Sequence, residues 1–201
     1  MLSSTAAALQ CLTKERFSND TVLQPCESDD DLCATIAHRD SGGMEMSKGI
    51  VQSCLPSYLC DQPFSMSFGA WKLASSVHCC NTDGCNNQHI PYPDLQAKNG
   101  LQCVSCITRG SVCNETIECV GAQDRCFSTN ETVHNSPLSF RGCMSTSRCV
   151  TPHLRDVSVG GIHLMPPGEL KCCGTSFCNS ARAIKLSVVP VLLGLISLII
   201  Y

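Results

Sequence analysis

The chain writes one phrase twice: Cys79-Cys80-Asn81-Thr82-Asp83-Gly84-Cys85-Asn86, then Cys172-Cys173-Gly174-Thr175-Ser176-Phe177-Cys178-Asn179. The copies stand 93 residues apart and share the pattern Cys-Cys-x4-Cys-Asn. Working outward, the other cysteines fall into the same register. Before the first phrase come Cys60, Cys54, Cys33, Cys26 and Cys11; before the second come Cys149, Cys143, Cys126, Cys119 and Cys103. Seven residues separate Cys26 from Cys33 and Cys119 from Cys126. Six separate Cys54 from Cys60 and Cys143 from Cys149. A tandem repeat of one cysteine framework accounts for this. The second copy adds Cys106 and Cys113, so the repeats hold eight and ten cysteines.

Eighteen cysteines in 201 residues, with an even number in each repeat, describe a disulfide scaffold made in an oxidising compartment. Each repeat is roughly 80 residues long, too short to bury a self-sufficient core. Large apolar side chains are scarce, with one Trp, three Tyr and six Phe in the whole chain. A crosslink closing a loop of about 20 residues contributes roughly 3 kcal/mol in the chain-entropy model. Zinc is the competing use of cysteine, and Cys103-x2-Cys106 has ligand spacing. Cys113 and Cys119 supply no tight second pair, and adjacent cysteines chelate one ion poorly, so no metal and no cofactor are expected. The net charge of −3 divides into −6 over residues 1–95 and +3 over 96–201. No basic patch interleaved with aromatics occurs, which argues against nucleic acid as a partner.

Residues 186–201 are apolar apart from two serines, broken by Pro190 and Gly194, and end without a charge. Small residues, a short polar spacer and a terminal apolar run describe a glycosylphosphatidylinositol (GPI) attachment signal over 180–201, with Asn179 or Ser180 as the lipidated residue. A single-pass helix is the alternative. Residues 1–8 hold no basic residue and no apolar run of signal-peptide length, so they are expected to be the remnant of a truncated signal region. Asn19, Asn114 and Asn130 head glycosylation sequons.

The expected organisation is one domain over 9–88, a linker over 89–100 closed by Asn99-Gly100, and a second domain over 101–179. Within the domains, cysteine-free stretches read as hairpins. Ala34 to Ser53 turns at Ser41-Gly42-Gly43, Phe127 to Gly142 near His134–Pro137, and Val150 to Lys171 at Gly160-Gly161. Outside the tail no helical period is sustained. The fold class is all-β and disulfide-rich.

The order of these cysteines, with the doubled Cys-Cys-x4-Cys-Asn ending and the Cys103-x2-Cys106 opening, resembles the three-finger family of the lymphocyte antigens and the urokinase receptor. The resemblance covers both domains and implies two tandem three-finger folds. It implies the pairs Cys11–Cys33, Cys26–Cys54, Cys60–Cys79 and Cys80–Cys85. In the second domain it implies Cys103–Cys126, Cys106–Cys113, Cys119–Cys143, Cys149–Cys172 and Cys173–Cys178. Spacing alone does not give this connectivity. The small first-finger bridge has no counterpart in the first domain, where Leu12 to Pro25 lacks cysteine, which predicts a looser tip. The family also implies that Asn86 and Asn179 tie each domain's end to its central sheet.

No catalytic motif occurs: no nucleophile elbow, phosphate-cradling glycine loop or His-Glu-x-x-His. The acidic run Glu27 to Asp31 lacks the Gly and distal Glu of a calcium loop and reads as a solvated loop. The recognition candidate is Phe64-Ser65-Met66-Ser67-Phe68-Gly69-Ala70-Trp71. Phe64, Met66 and Phe68 share one face of a strand, beside the single Trp71. That face either packs against the other fingers or the second domain, or serves as a ligand surface with Trp71 as anchor. A second candidate is the finger from Val150 to Met165, with His153 and Arg155. The function implied is a non-enzymatic, GPI-anchored glycoprotein on the outer leaflet that binds an extracellular protein, with shedding or secretion as another fate. A secreted two-domain inhibitor of the phospholipase A2 type is the alternative, and modulation of a channel or nicotinic receptor a lesser one.

Overall fold

The computed structural model of the chain describes residues 8–14, 19–42, 46–108, 113–133, 136–150, 158–159, 162–163 and 168–180. The first repeat opens with a short hairpin, β1 (Gln10–Thr13) and β2 (Val22–Pro25). A long hairpin follows, β3 (Asp31–Gly42) and β4 (Met46–Pro56). After a 3-10 turn at Ser57–Leu59 come β5 (Phe64–Phe68) and β6 (Trp71–Cys80). The second repeat has β7 (Lys98–Val104), β8 (Cys106–Thr108) and β9 (Thr116–Val120). Its long hairpin is β10 (Arg125–Val133) and β11 (Ser136–Met144), ending in a single helical turn, α1 (Thr146–Cys149). The short pair β12 (Ser158–Val159) and β13 (Ile162–His163) precedes β14 (Glu169–Cys173).

Each repeat is a set of hairpins rising from a sulfur hub. All eighteen cysteines are in disulfides, in the nine pairs that the family resemblance implies. Cys103, Cys119, Cys126 and Cys143 pack together in the second hub, and Cys11, Cys26 and Cys33 in the first. The sulfurs supply the buried apolar contact that large side chains supply elsewhere, and each bridge restricts the unfolded chain as well.

The two asparagines act as matching clamps. Nδ2 of Asn86 donates to the carbonyls of Leu12 (2.8 Å) and Ala34 (3.0 Å), and its Oδ1 accepts from the Leu12 amide (2.9 Å). Nδ2 of Asn179 donates to Val104 and Phe127, both at 2.8 Å, and its Oδ1 accepts from the Val104 amide (3.0 Å). A carboxamide suits this place because it both donates and accepts, whereas an ionised carboxylate only accepts.

The repeats do not stay separate. One sheet runs through both in the order β14-β10-β11-β5-β6-β3-β4, with β8 also paired to β11. The join is β5 against β11, with Ser67 opposite Cys143 and Met66 opposite Met144. On one face of this sheet, Ala34, Ile36, Val51, Leu55, Leu59, Phe64 and Met66 of the first repeat form a single cluster with Phe127 and Met144 of the second. The segment expected as a linker forms no ladder before Lys98, where β7 begins. It is pinned nonetheless: Ile90 and Leu95 are buried, and the Tyr92 ring faces Arg39 and Lys48 at 5.8 and 5.3 Å. The first-finger tip over 15–18 and the turns at Gly43, His134–Asn135 and Gly160-Gly161 lie outside the described residues.

Candidate binding site

The stretch expected to carry recognition forms β5 and the start of β6, and its burial corrects part of that expectation. Phe64 is 1% exposed and Met66 5%: β11 pairs the strand edge at Met66, both side chains join the core cluster shared by the repeats, and Arg148 lies over the Phe64 ring. They fill the shared core and are not ligand residues in this arrangement. Phe68 is half-buried and closes the seam, with its ring edge-on to Phe127 (6.2 Å) and Phe140 (5.8 Å) of the second repeat. Such pairs add about 0.5–1.5 kcal/mol beyond area burial. Trp71 differs: it is 52% exposed, its ladder partner is Gly42, and a Cβ on Gly42 would lie 2.7 Å from the indole.

The serines between the apolar residues are buried too. Ser65 and Ser67 take the amide of Gln123, whose Nε2 donates to their hydroxyls at 2.9 and 2.7 Å. Oε1 of Gln123 accepts from the Val120 amide at 3.1 Å, so the carboxamide is used at both ends. Ser145 adds two bonds: its amide donates to the Ser65 carbonyl (2.9 Å) and its hydroxyl accepts from the Ser65 amide (3.2 Å). The Gly69 amide donates to the Ser105 hydroxyl at 2.8 Å. The alternation Phe-Ser-Met-Ser-Phe therefore serves an apolar contact on one face and a polar contact on the other. Gln123 and Ser145 carry no signal in the amino-acid sequence, and Gly142 only a faint one. A Cβ on Gly142 would lie 1.9 Å from the Ser67 carbonyl oxygen, so only glycine lets β5 approach β11 here.

Two open patches flank the seam. At one end, Trp71 lies near the β5–β6 turn, against which Ile107 of β8 packs half-exposed. At the other end, the 3-10 turn of the first repeat meets α1 of the second. There Tyr58, Leu59, Gln62, Ser147, Arg148 and Val150 line a hollow of about 220 Å³. Val150 is 71% exposed and Tyr58 55%, whereas Arg148 is 2% exposed, its guanidinium 4.8 Å from the Phe64 ring centre. An adjoining depression of about 300 Å³ is bordered by Asp124, Thr146 and Pro63. Burial pushes the Asp124 carboxyl up; hydrogen bonds from Thr146 and the charge of Arg125 outweigh that and hold it below the usual carboxylate range.

The sequon asparagines Asn19, Asn114 and Asn130 are all exposed. Asn179 is buried with its side chain fully engaged, and its carbonyl accepts from Arg141 Nη1 at 3.0 Å; Ser180 is half-buried. His153, Arg155 and the tail over 181–201 lie outside the described residues. Among the described residues, no helix is long and apolar enough to cross a membrane. Two groups of three sulfurs lie close enough to hold an ion, Cys11-Cys26-Cys54 and Cys103-Cys119-Cys143, but every one is a disulfide sulfur and not a thiolate ligand.

Paired hairpin domains on sulfur hubs, each closed by an asparagine clamp, define a class of small extracellular-type modules whose surfaces vary on a fixed frame. The u-PAR/Ly-6 domain matches the chain twice, over residues 7–88 and 99–181, and the chain belongs to that family. A urokinase plasminogen activator surface receptor of Rattus norvegicus is 34% identical over 126 residues, covering 58% of this chain and 37% of that protein. The receptor of the same name from Mus musculus is 30% identical over 127 residues, covering 59% of this chain and 37% of that protein. Phospholipase A2 inhibitor NAI of Notechis ater is 28% identical over 151 residues, covering 71% of this chain and 72% of that protein. The matches span little more than a third of the receptors' length.

Proposed function

We propose that the chain is a non-enzymatic, GPI-anchored surface glycoprotein that binds an extracellular protein. The observation that carries this reading is Trp71. The only tryptophan is half-exposed on a sheet stiffened by two domains, its indole laid over Gly42 where no side chain fits. A rigid, partly exposed aromatic is the side chain on which interface energy concentrates. The relatives named surface receptors support the same direction. The exposed sequons support a glycosylated surface. For the lipid, the engaged side chain of Asn179 favours Ser180 as the attached residue, since the matching Asn86 is a clamp and nothing more.

The test is expression of the full chain behind a supplied leader on mammalian cells. Release by phosphatidylinositol-specific phospholipase C is expected, and retention refutes the anchor. The released protein is expected to capture an extracellular protein and to lose most of that capture on Trp71→Ala; unchanged capture refutes the face. A second reading, a secreted phospholipase A2 inhibitor, is favoured by the match to the Notechis inhibitor across most of both chains. Inhibition of a secreted phospholipase A2 by the released protein at stoichiometric concentration would establish it.

A further inference from the structure

The seam hollow between the 3-10 turn and α1 holds a charge that no described residue balances. Arg148 is 2% exposed and its Nε has no hydrogen-bond partner. Among the described residues it forms no ion pair; its neighbours are the face of Phe64 and the Tyr58 phenol. Burial pulls its pKa down to about 10, partly offset by Tyr58, so it stays protonated at neutral pH. A buried cation is normally paired and hydrogen-bonded, because desolvation is costly. A ring face compensates only part of that cost. The hollow it lines opens between Tyr58 and Val150, both well exposed. Tyr58 and Gln62, which also line it, are residue types that carry further donors.

We propose that this hollow binds a carboxylate, and that the occupant is a Glu or Asp side chain on an apolar segment of the extracellular partner. The inference rests on the binding reading above and names the partner's chemistry. A single guanidinium balances one negative charge, and its fork matches a planar carboxylate. A doubly charged phosphate is disfavoured, since the adjoining depression carries the anionic Asp124. Exposed Tyr58 and Val150 give apolar flanks for the residues on either side of the acid.

The test uses the oxidised, ¹⁵N-labelled full chain in micelles, titrated with Ac-Val-Glu-Leu-NH2, its Gln isostere and inorganic phosphate. The expected result is a shift of the Arg148 Nε–H signal with the Glu peptide and binding about tenfold or more tighter than the Gln peptide. That preference should vanish in Arg148→Met and survive in part in Arg148→Lys. Equal binding of the two peptides, no shift, or a stronger response to phosphate overturns the proposal. The wild-type Nε–H signal decides even if Arg148→Met fails to fold. Asp156 is the acidic residue of this chain nearest to Arg148 in sequence, so Asp156→Asn tests an occupant from this chain: if it moves the Nε–H signal and the peptide does not, the proposal falls. Failure of the broader reading shows separately, as absence of protein capture by the wild-type chain; capture unchanged by Arg148→Met removes only this site.

Discussion

Gly142→Ala should unseat the two domains from one another without unfolding either. The added Cβ would lie 1.9 Å from the Ser67 carbonyl oxygen and 2.9 Å from Cβ of Phe68. The first obstacle is backbone, so no rotamer change relieves it. Reaching ordinary contact requires β5 and β11 to part by more than about 1 Å, which takes a 2.9 Å hydrogen bond outside bonding range. The bonds at stake join Ser65 to Ser145 and Gln123 to Ser65 and Ser67. Overpacking costs about 1–3 kcal/mol, and each lost bond about 1 kcal/mol net. With four such bonds, these give a destabilisation of the docked state of roughly 5–7 kcal/mol. The disulfides lie within the repeats and none crosses the seam, so each half keeps its shape. Hydrogen exchange should show lost protection at Ser65–Ser67 and Met144 with retained protection along β3. Small-angle scattering should show a larger radius of gyration. Gly174→Ala is the control, since its Cβ would meet only the flexible Arg125 side chain at 3.4 Å. Wild-type protection across the seam in Gly142→Ala would refute the reasoning.

Other consequences are open to measurement. Asn86→Ala removes three hydrogen bonds within the first hub, and about 2–4 kcal/mol of lost stability is expected in denaturant unfolding of the oxidised protein. Asp124 has a native pKa below its unfolded value, so its contribution is present above the unfolded value of about 3.9 and is lost as pH falls through the native one. The stability gap between wild type and Asp124→Asn, measured at pH 7, should therefore shrink toward pH 3. Gly42→Ala should displace the indole of Trp71 and change its fluorescence while leaving the disulfide pattern, read by peptide mapping, unchanged.

The hubs were legible because cysteine spacing is a covalent record: Cys26 to Cys33 and Cys119 to Cys126 keep step wherever the hairpins vary. The hairpins around Ile36–Val51 and Phe127–Phe140 were legible from alternation and turn residues. The seam was not. Phe64 and Met66 showed one apolar face, and alternation cannot say whether solvent or protein covers it. Ser65 and Ser67 are small and polar, properties that suit a wet face and equally make room for the Gln123 amide. A trace did exist: Gly142 stands before Cys143 where the first repeat has Ser53 before Cys54, and the missing Cβ marks where another strand lies. Arg148 left no trace, since an arginine beside a cysteine reads as surface until its neighbours are known.

The continuous ladder across the repeats has a mechanical corollary. Gln96 and Ala97 are exposed and carry no strand. A protease nicking the backbone there would leave two fragments that sediment as one particle, since the shared sheet and core still join them. Separation would follow only when denaturant or a clashing side chain peels one sheet edge from the other.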